Sequence, residues 1–337
     1  MTWRRSVAAL AVCGAAALSG CASRATHQAA AHLDTIRFGV ITSGGGAELP
    51  EALIRTGIAA KYGLRIQIVP YAAPGQQYTL VRGGGADIVP GNVLDLQRQR
   101  LAGLQVHAVA SFQRFSSPIV VRAGSPLTSF AQLAGRTVGQ FGPATIDWLT
   151  IRAVGKFATG LDLGTTRLTQ APPALLTSLL ERGQIDAAMQ FASLAAQPLE
   201  AGRERQLTTV PALLRSAGLD PDALDVVWDL TDRWQAMNPG ALPRLQAAMN
   251  EAYQRLKSGD PSLWAPLTAM AGIHDPAAAK AYVAEEISNI DPPYTRALIA
   301  PTQRLIRAII AVAGEPAVGF TVLPASDFLF PPDGASG

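Results

Sequence analysis

From Ile36 to Gln190 the chain repeats one alternation: a short apolar run, a glycine- or proline-bearing turn, a helix-like stretch, then another apolar run. Apolar runs of four to seven residues bounded by turn residues are too short for helices and read as buried strands. Ile36 to Thr42 (IRFGVIT) is such a strand, entering a glycine-rich turn. Leu49 to Tyr62 is predicted as a helix that Gly63 stops. Leu64 to Pro70, Ala86 to Val89, Gln105 to Ser111 and Pro118 to Arg122 are further strands, with helices over Gly75 to Val81 and Leu94 to Ala102. This rhythm calls for a mostly parallel sheet covered by helices, an α/β fold.

A second unit of the same kind begins near Ser129. Its strands are Thr137 to Gln140, Arg167 to Thr169 and Ala187 to Gln190. Its helices are Phe130 to Leu133, Ala144 to Ala158 and Ala174 to Arg182. Val226 to Leu230 is one more strand, after which Pro239 to Lys257, Pro276 to Ser288 and Ala297 to Ala313 carry helical apolar spacing. The expected architecture is therefore two-lobed, with residues 34–120 and 223–337 in the first lobe and 121–222 inserted as the second. Each lobe is a mixed, mostly parallel sheet flanked by helices, and the C-terminal region is helical. Pro118 to Arg122 and Val226 to Leu230 are expected to cross between lobes as a hinge. Ligands of open α/β sheets bind beyond the carboxyl ends of the strands, which singles out the loops after Thr42, Val89, Ser111, Gln140 and Gln190.

The N-terminus has a separate logic. Arg4 and Arg5 precede an apolar run from Val7 to Leu18, which ends in Leu18-Ser19-Gly20-Cys21. A charged start, a short apolar stretch and small residues at the cut make a signal peptide over residues 1–20. A cysteine directly after the cut resembles the lipobox of bacterial lipoproteins, so Cys21 is the expected site of lipidation. Residues 21–33 then form a tether, and the protein is exported and anchored in the cell envelope. The whole chain has 28 basic and 25 acidic residues, and loss of Arg4 and Arg5 leaves 26 basic ones. That balance removes the electrostatic basis for nucleic-acid binding. Cys13 and Cys21 are the only cysteines, so the mature chain has no disulfide to form.

Two segments carry a family likeness. Ser129 to Gly139 (SFAQLAGRTVG) resembles the S-L-A-D-L-K-G-K-x-V-G segment of substrate-binding proteins for ABC importers. Ala174 to Ala188 (ALLTSLLERGQIDAA) resembles their A-L-x-x-G-x-V-D-A-A segment, and Tyr78 to Val89 (YTLVRGGGADIV) is an earlier copy of it. The nearest group is the sulfonate, nitrate, taurine and thiamine-precursor binders. The resemblance covers roughly Ile36 to the C-terminus. It implies a type II periplasmic-binding-protein fold, a small-molecule ligand in an interlobe cleft, a membrane permease as partner, and a monomer. One departure stands out: many relatives read Asp-Ala-Ala-x-x-Trp-Glu-Pro, whereas Ala192 and Ser193 replace the acid and proline here.

Candidate ligand contacts follow from the loops. Ser43, Gly44 and Gly45 lead into the first helix, where free backbone N–H groups suit an anion. Glu48 in that first turn would repel a sulfonate and favour an amine or a pyrimidine, and it equally suits a helix start. The resemblance adds Gly142, Ala144 and Thr145, at the start of the helix bearing Trp148. Asn92 corresponds to the family's loop at the end of the third strand. Ser116 lies on the crossover, and Gln190 and Phe191 follow the last strand of the second unit. Donors at two helix starts favour a small organic anion such as a sulfonate, and Trp148 and Phe191 leave room for a ring.

Other chemistries find little support. His27, His32, His107 and His274 are scattered, with no zinc-binding spacing. No Gly-x-Ser-x-Gly is present, and Glu285-Glu286 reads as a solvated helix face. The expectation is a binding protein rather than an enzyme, with no cofactor and no metal. The rivals are a ligand sensor for a membrane kinase and a thiamine-pyrimidine-synthase-like enzyme on the same fold.

Overall fold

The computed structural model describes residues 33–41, 46–72, 75–270, 272–290 and 294–330, and of residue 193 only the backbone. Cys21, Ser43, Gly44 and Gly45 lie outside the described residues.

The first sheet opens with β1 (Asp34–Ile41), α1 (Glu48–Arg55), α2 (Ile58–Lys61) and β2 (Leu64–Tyr71). It continues with α3 (Gln76–Arg82), β3 (Ile88–Asn92), α4 (Val93–Leu101) and β4 (Val106–Gln113). The chain then enters a second sheet with β5 (Pro118–Arg122), β6 (Thr137–Gln140), α5 (Ile146–Thr159), β7 (Arg167–Gln170) and α6 (Pro173–Glu181). That sheet is completed by β8 (Ala187–Met189), α7 (Ala192–Glu200), β9 (Glu204–Thr209) and α8 (Val210–Ser216). β10 (Val226–Thr231) returns to the first sheet and is followed by α9 (Asp232–Met237), α10 (Ala241–Lys257), α11 (Pro261–Met270), α12 (Pro276–Asn289), α13 (Ile299–Ala313) and α14 (Glu315–Val318).

The strand orders are β2-β1-β3-β10-β4 and β7-β6-β8-β5-β9. In each sheet three parallel strands meet one returning strand that runs against its neighbours: β10 against β3 and β4, and β5 against β8 and β9. β5 and β10 are thus fully paired sheet strands. The crossings between sheets are the non-strand segments beside them, 114–117 and 217–225, rather than the strands the sequence suggested.

One turn device builds both sheets. Gly84 and Gly183 end the turns after α3 and α6 at φ 72° and 71°, a conformation that costs glycine little. Three residues further on, Asp87 Oδ2 accepts the Arg37 N–H at 3.0 Å, and Asp186 Oδ2 accepts the Thr137 N–H at 2.8 Å. The Asp87 and Asp186 N–H groups return bonds to Arg37 O and Thr137 O at 2.9 and 2.8 Å. Each aspartate therefore pins its own strand to the neighbouring parallel one. Arg37 adds a two-pronged ion pair to Asp87.

The core of the first sheet buries Ile36, Phe38 and Val40 of β1 against Leu245, Met249 and Tyr253 of α10. A second apolar cluster is continuous from Val89 and Leu94 through Leu305, Ile306 and Ile309 of α13 to Trp148 and Leu149 of α5. α13 therefore packs on the second sheet's helix α5, and the chain end then returns to the first sheet, where Leu329 N–H donates to Ala108 O. The expected helix over 49–62 is two helices, because Gly57 sits at φ 73° and the Thr56 hydroxyl donates back to Ala52 O. Elements α7, β9, α8, α9 and α11 were not anticipated. Pro198 and Pro266 lie inside α7 and α11 and disguise them as loops, and β9 (ERQLTT) has almost no apolar signature.

Replacing Asp186 by alanine strips the acceptor from the Thr137 N–H. Urea unfolding should show a loss of about 1–3 kcal/mol, and an unchanged midpoint would mean that water replaces the carboxylate at no cost.

Candidate functional site

The carboxyl ends of the strands face one another where the starts of α4 and α5 approach. Arg98 on α4 donates from Nη1 to Ala144 O at 3.3 Å, a direct contact between the two halves. Below that contact run the two crossings. Val93 N–H donates to Asp225 O at 3.0 Å, and the Ser117 hydroxyl donates to Asp147 Oδ1 at 2.7 Å. Asn92, Ser116, Ser117, Gly142, Ala144, Thr145, Asp147 and Asp225 thus gather from four segments into one floor.

Most of the anticipated polar groups there are engaged within the protein. Asn92 caps α4, its Oδ1 accepting the Leu94 and Asp95 N–H groups and its amide donating to Asp95 at 2.7 Å. Thr145 caps α5: its hydroxyl donates to Gly142 O at 2.9 Å and accepts the Trp148 N–H at 3.4 Å. Gly142 is needed for this closeness, since a Cβ there would sit 2.7 Å from Thr145 Cγ2. Trp148 does not join the loop. Three residues past the cap it turns inward and is 1% exposed in the core beside α13. Ser116 is partly buried between Phe115 and Ser117.

On the second sheet's side, Gln190 is fully buried, and its Nε2 donates to Pro173 O and the Thr177 hydroxyl. Phe191 remains 42% exposed, with its ring 4.3 Å from that of Phe141. The pair forms an apolar wall at the ends of β6 and β8.

Glu48 is buried at the start of α1. The Gly46 N–H donates to its Oε2 at 2.5 Å and the Tyr282 hydroxyl to its Oε1 at 2.7 Å. The carboxylate therefore occupies one backbone donor on which an anion would rely. Beside it on α12, burial pushes the Glu286 carboxyl up to about 8, with the charges of Glu48 and Glu285 adding to the effect. α12 also packs on α7 of the second sheet.

Sequence reasoning missed Asp147 and Asp225. Burial raises the carboxyl of Asp147 despite the Ser117 bond. Burial and then the Asp147 charge hold Asp225 well above the usual range. Asp147 could have been noticed as an acid in the first turn of a candidate helix; Asp225 gives no sequence signal. A separate open groove of about 430 Å³ lies among Arg55, Ile58, Glu251, Arg255, Asp260 and Leu263. Its charges are paired, Arg255 with Asp260 and Glu251 with Lys61, which marks a solvated surface rather than the cleft. Among the described residues no cluster of three or more carboxylate, histidine or cysteine side chains is placed to hold a metal ion, and no helix is long and apolar enough to cross a membrane.

Two sheets joined by crossings, with their loops meeting over a shared floor, make the two-lobed fold also found in periplasmic binding proteins. The sequence profile of the family described as NMT1/THI5 like matches residues 59–258, and the chain belongs to that family. Its fold is similar to that of the periplasmic aliphatic sulphonate binding protein SsuA from Escherichia coli, at 17% identity and TM-score 0.72 over 89% of this chain and 93% of that one. The alkanesulfonate-binding protein SsuA from Xanthomonas axonopodis pv. citri, bound to MOPS, matches at 18% identity and TM-score 0.69 over 89% and 100%. The desulfurization enzyme DSZB shares the fold at 17% identity and TM-score 0.54 over 84% and 96%. No curated protein sequence matches the chain.

An acid whose folded-state value lies above its free value stabilises the fold at low pH and loses that contribution as pH rises. For Glu286, which faces Glu48, Glu285 and Tyr282, the loss runs from about 4.5 to about 8. In Glu286→Gln, stability should fall less over that window than in the parent, as read by urea midpoints. Parallel pH curves for the two proteins would contradict the assignment.

Proposed function

We propose that the chain is an exported, lipid-anchored solute-binding protein that captures a small molecule between its lobes and delivers it to an ABC import permease. The lobes divide near residues 120 and 223. The observation that carries this reading is the convergence of the ends of both sheets on one floor, bridged by Arg98 and Ala144. A solute there touches both lobes at once, so it binds the closed form better than the open form and shifts the population toward closure. Membership of the NMT1/THI5-like family and the fold shared with sulfonate-binding proteins support capture and import.

Ligand contacts are proposed at Asn92, Ser116, Gly142, Ala144, Thr145, Gln190 and Phe191, and at Ser43, Gly44 and Gly45. The small organic anion suggested by helix-start donors and by the sulfonate-binding likeness is one solute class for this cleft. Glu48, Asp147 and Asp225 favour the opposite charge. A role in binding rather than catalysis fits a floor on which the Ser117 hydroxyl is held by a carboxylate and the Thr145 hydroxyl by a backbone carbonyl. Cys21 is the proposed anchor, since its thiol follows the small residues of the cleavage site.

Thermal unfolding of the chain from Ala22 onward, refolded to strip bound solute, tests capture. The panel holds alkanesulfonates, taurine, nitrate, thiamine precursors, aromatic acids and alkylamines. A captured solute at ~100 times its dissociation constant should add roughly 2.7 kcal/mol of stability. A panel without any shift would count against solute capture. For the anchor, Cys21→Ala in the full chain should move the protein from the membrane to the soluble fraction, and retention in the membrane would contradict it.

A further inference from the structure

Donors and acceptors are out of balance at the cleft floor. Arg98 directs its guanidinium to Asp95 and to the carbonyls of Ala144, Ala317 and Val318. The Asn92 amide and Gln190 Nε2 donate within the protein, and side chains already take the N–H groups of Gly46, Leu94, Asp95 and Trp148. The acceptors fare differently. Asp225 is 5% exposed and its Oδ1 meets no donor of the protein. Gln190 is fully buried and its Oε1 is likewise without a partner. Its amide orientation is fixed, because Pro173 O can only accept. One donor, Arg114 Nε, is also left without a partner, but its guanidinium already faces Asp222.

The two aspartates are neighbours: Ser117 holds Asp147 at the start of α5, and the Asp147 charge acts on Asp225. The Gln190 side chain turns instead to Pro173 and Thr177 at the start of α6. A sulfonate brings a negative charge and only acceptors, adding to both surpluses. An ammonium brings three donors, no acceptor and the compensating charge. A buried carboxylate pair without a counter-ion is costly and a cation between them removes that cost. Phe141 and Phe191 offer an apolar, electron-rich wall for the organic part of such a solute.

We infer that the floor at Asp147, Asp225 and Ser117 binds a protonated amine, so that the captured solute is a small organic cation. The inference rests on the solute-capture reading and names the class of its solute. The test uses charge-matched probes on the refolded mature chain: butylammonium against butanesulfonate, and benzylammonium against phenylmethanesulfonate, titrated by calorimetry and thermal shift. The ammonium members bind and the sulfonates do not. Asp225→Asn and Asp147→Asn each weaken ammonium binding about tenfold or more. Neither variant melts below the parent when unliganded, because each relieves like-charge repulsion, so lost binding is not lost folding. Glu251→Gln, in the outer groove, leaves binding unchanged. Sulfonate binding that Asp225→Asn leaves equal or tighter overturns the inference while keeping solute capture. Binding of none of the four probes overturns the cation assignment, and if the wider panel also fails, solute capture falls with it.

Discussion

One strand holds the molecule in register: β10, which returns from the second sheet and inserts between β3 and β4 of the first. Both of its faces are buried. On one, Trp228 packs edge-on against Phe38 and Phe112, and its indole N–H donates to the Tyr253 hydroxyl at 2.8 Å. On the other, Asp229 accepts the Tyr78 hydroxyl at 2.8 Å. An antiparallel strand in the middle of a sheet cannot shift by one residue without exchanging the tryptophan and the carboxylate between its two buried faces. The crossing at 217–225 is thereby fixed at its end, and Asp225, one residue before β10, is fixed with it.

The consequence is electrostatic. Asp225 is set by β10, Asp147 by the first turn of α5, and Ser117 by the opposite crossing, so the Asp147 charge acts on Asp225 across a boundary between sheets. Neither is compensated by the arginines nearby, which are engaged by Asp95, by Asp222 and by backbone carbonyls. Carboxyl groups placed this way resist ionising until a positive charge arrives. A fold shared with sulfonate binders at 17–18% identity supplies the cleft.

Much of the fold was legible because it is local. Alternating apolar runs gave the strands, and the Gly-x-x-Asp turns at Gly84–Asp87 and Gly183–Asp186 announced helix ends that the structure uses to pin neighbouring strands. Polar or proline-bearing elements such as β9, α7 and α11 were hidden, since their burial comes from tertiary packing rather than periodicity. The loops proposed for the site follow from the rule that strand ends line clefts. What each residue does there was not legible. Trp148 faces the core instead of the loop, Asn92 and Thr145 cap helices, and Glu48 closes the start of α1. Asp147 meets Ser117 across thirty positions of sequence, and no local pattern encodes that encounter.

The central claim is that solute draws the two lobes together over this floor. The chain from Ala22 onward has no cysteine, so spin labels at Gln67→Cys and Gln184→Cys, exposed positions on the first and second sheets' sides, report only the interlobe distance. Measured by pulsed electron resonance, the distance should have a broad or two-component distribution without solute. Saturating solute that raises the melting temperature should collapse it to the short component. A single distance that no stabilising solute moves would contradict the account.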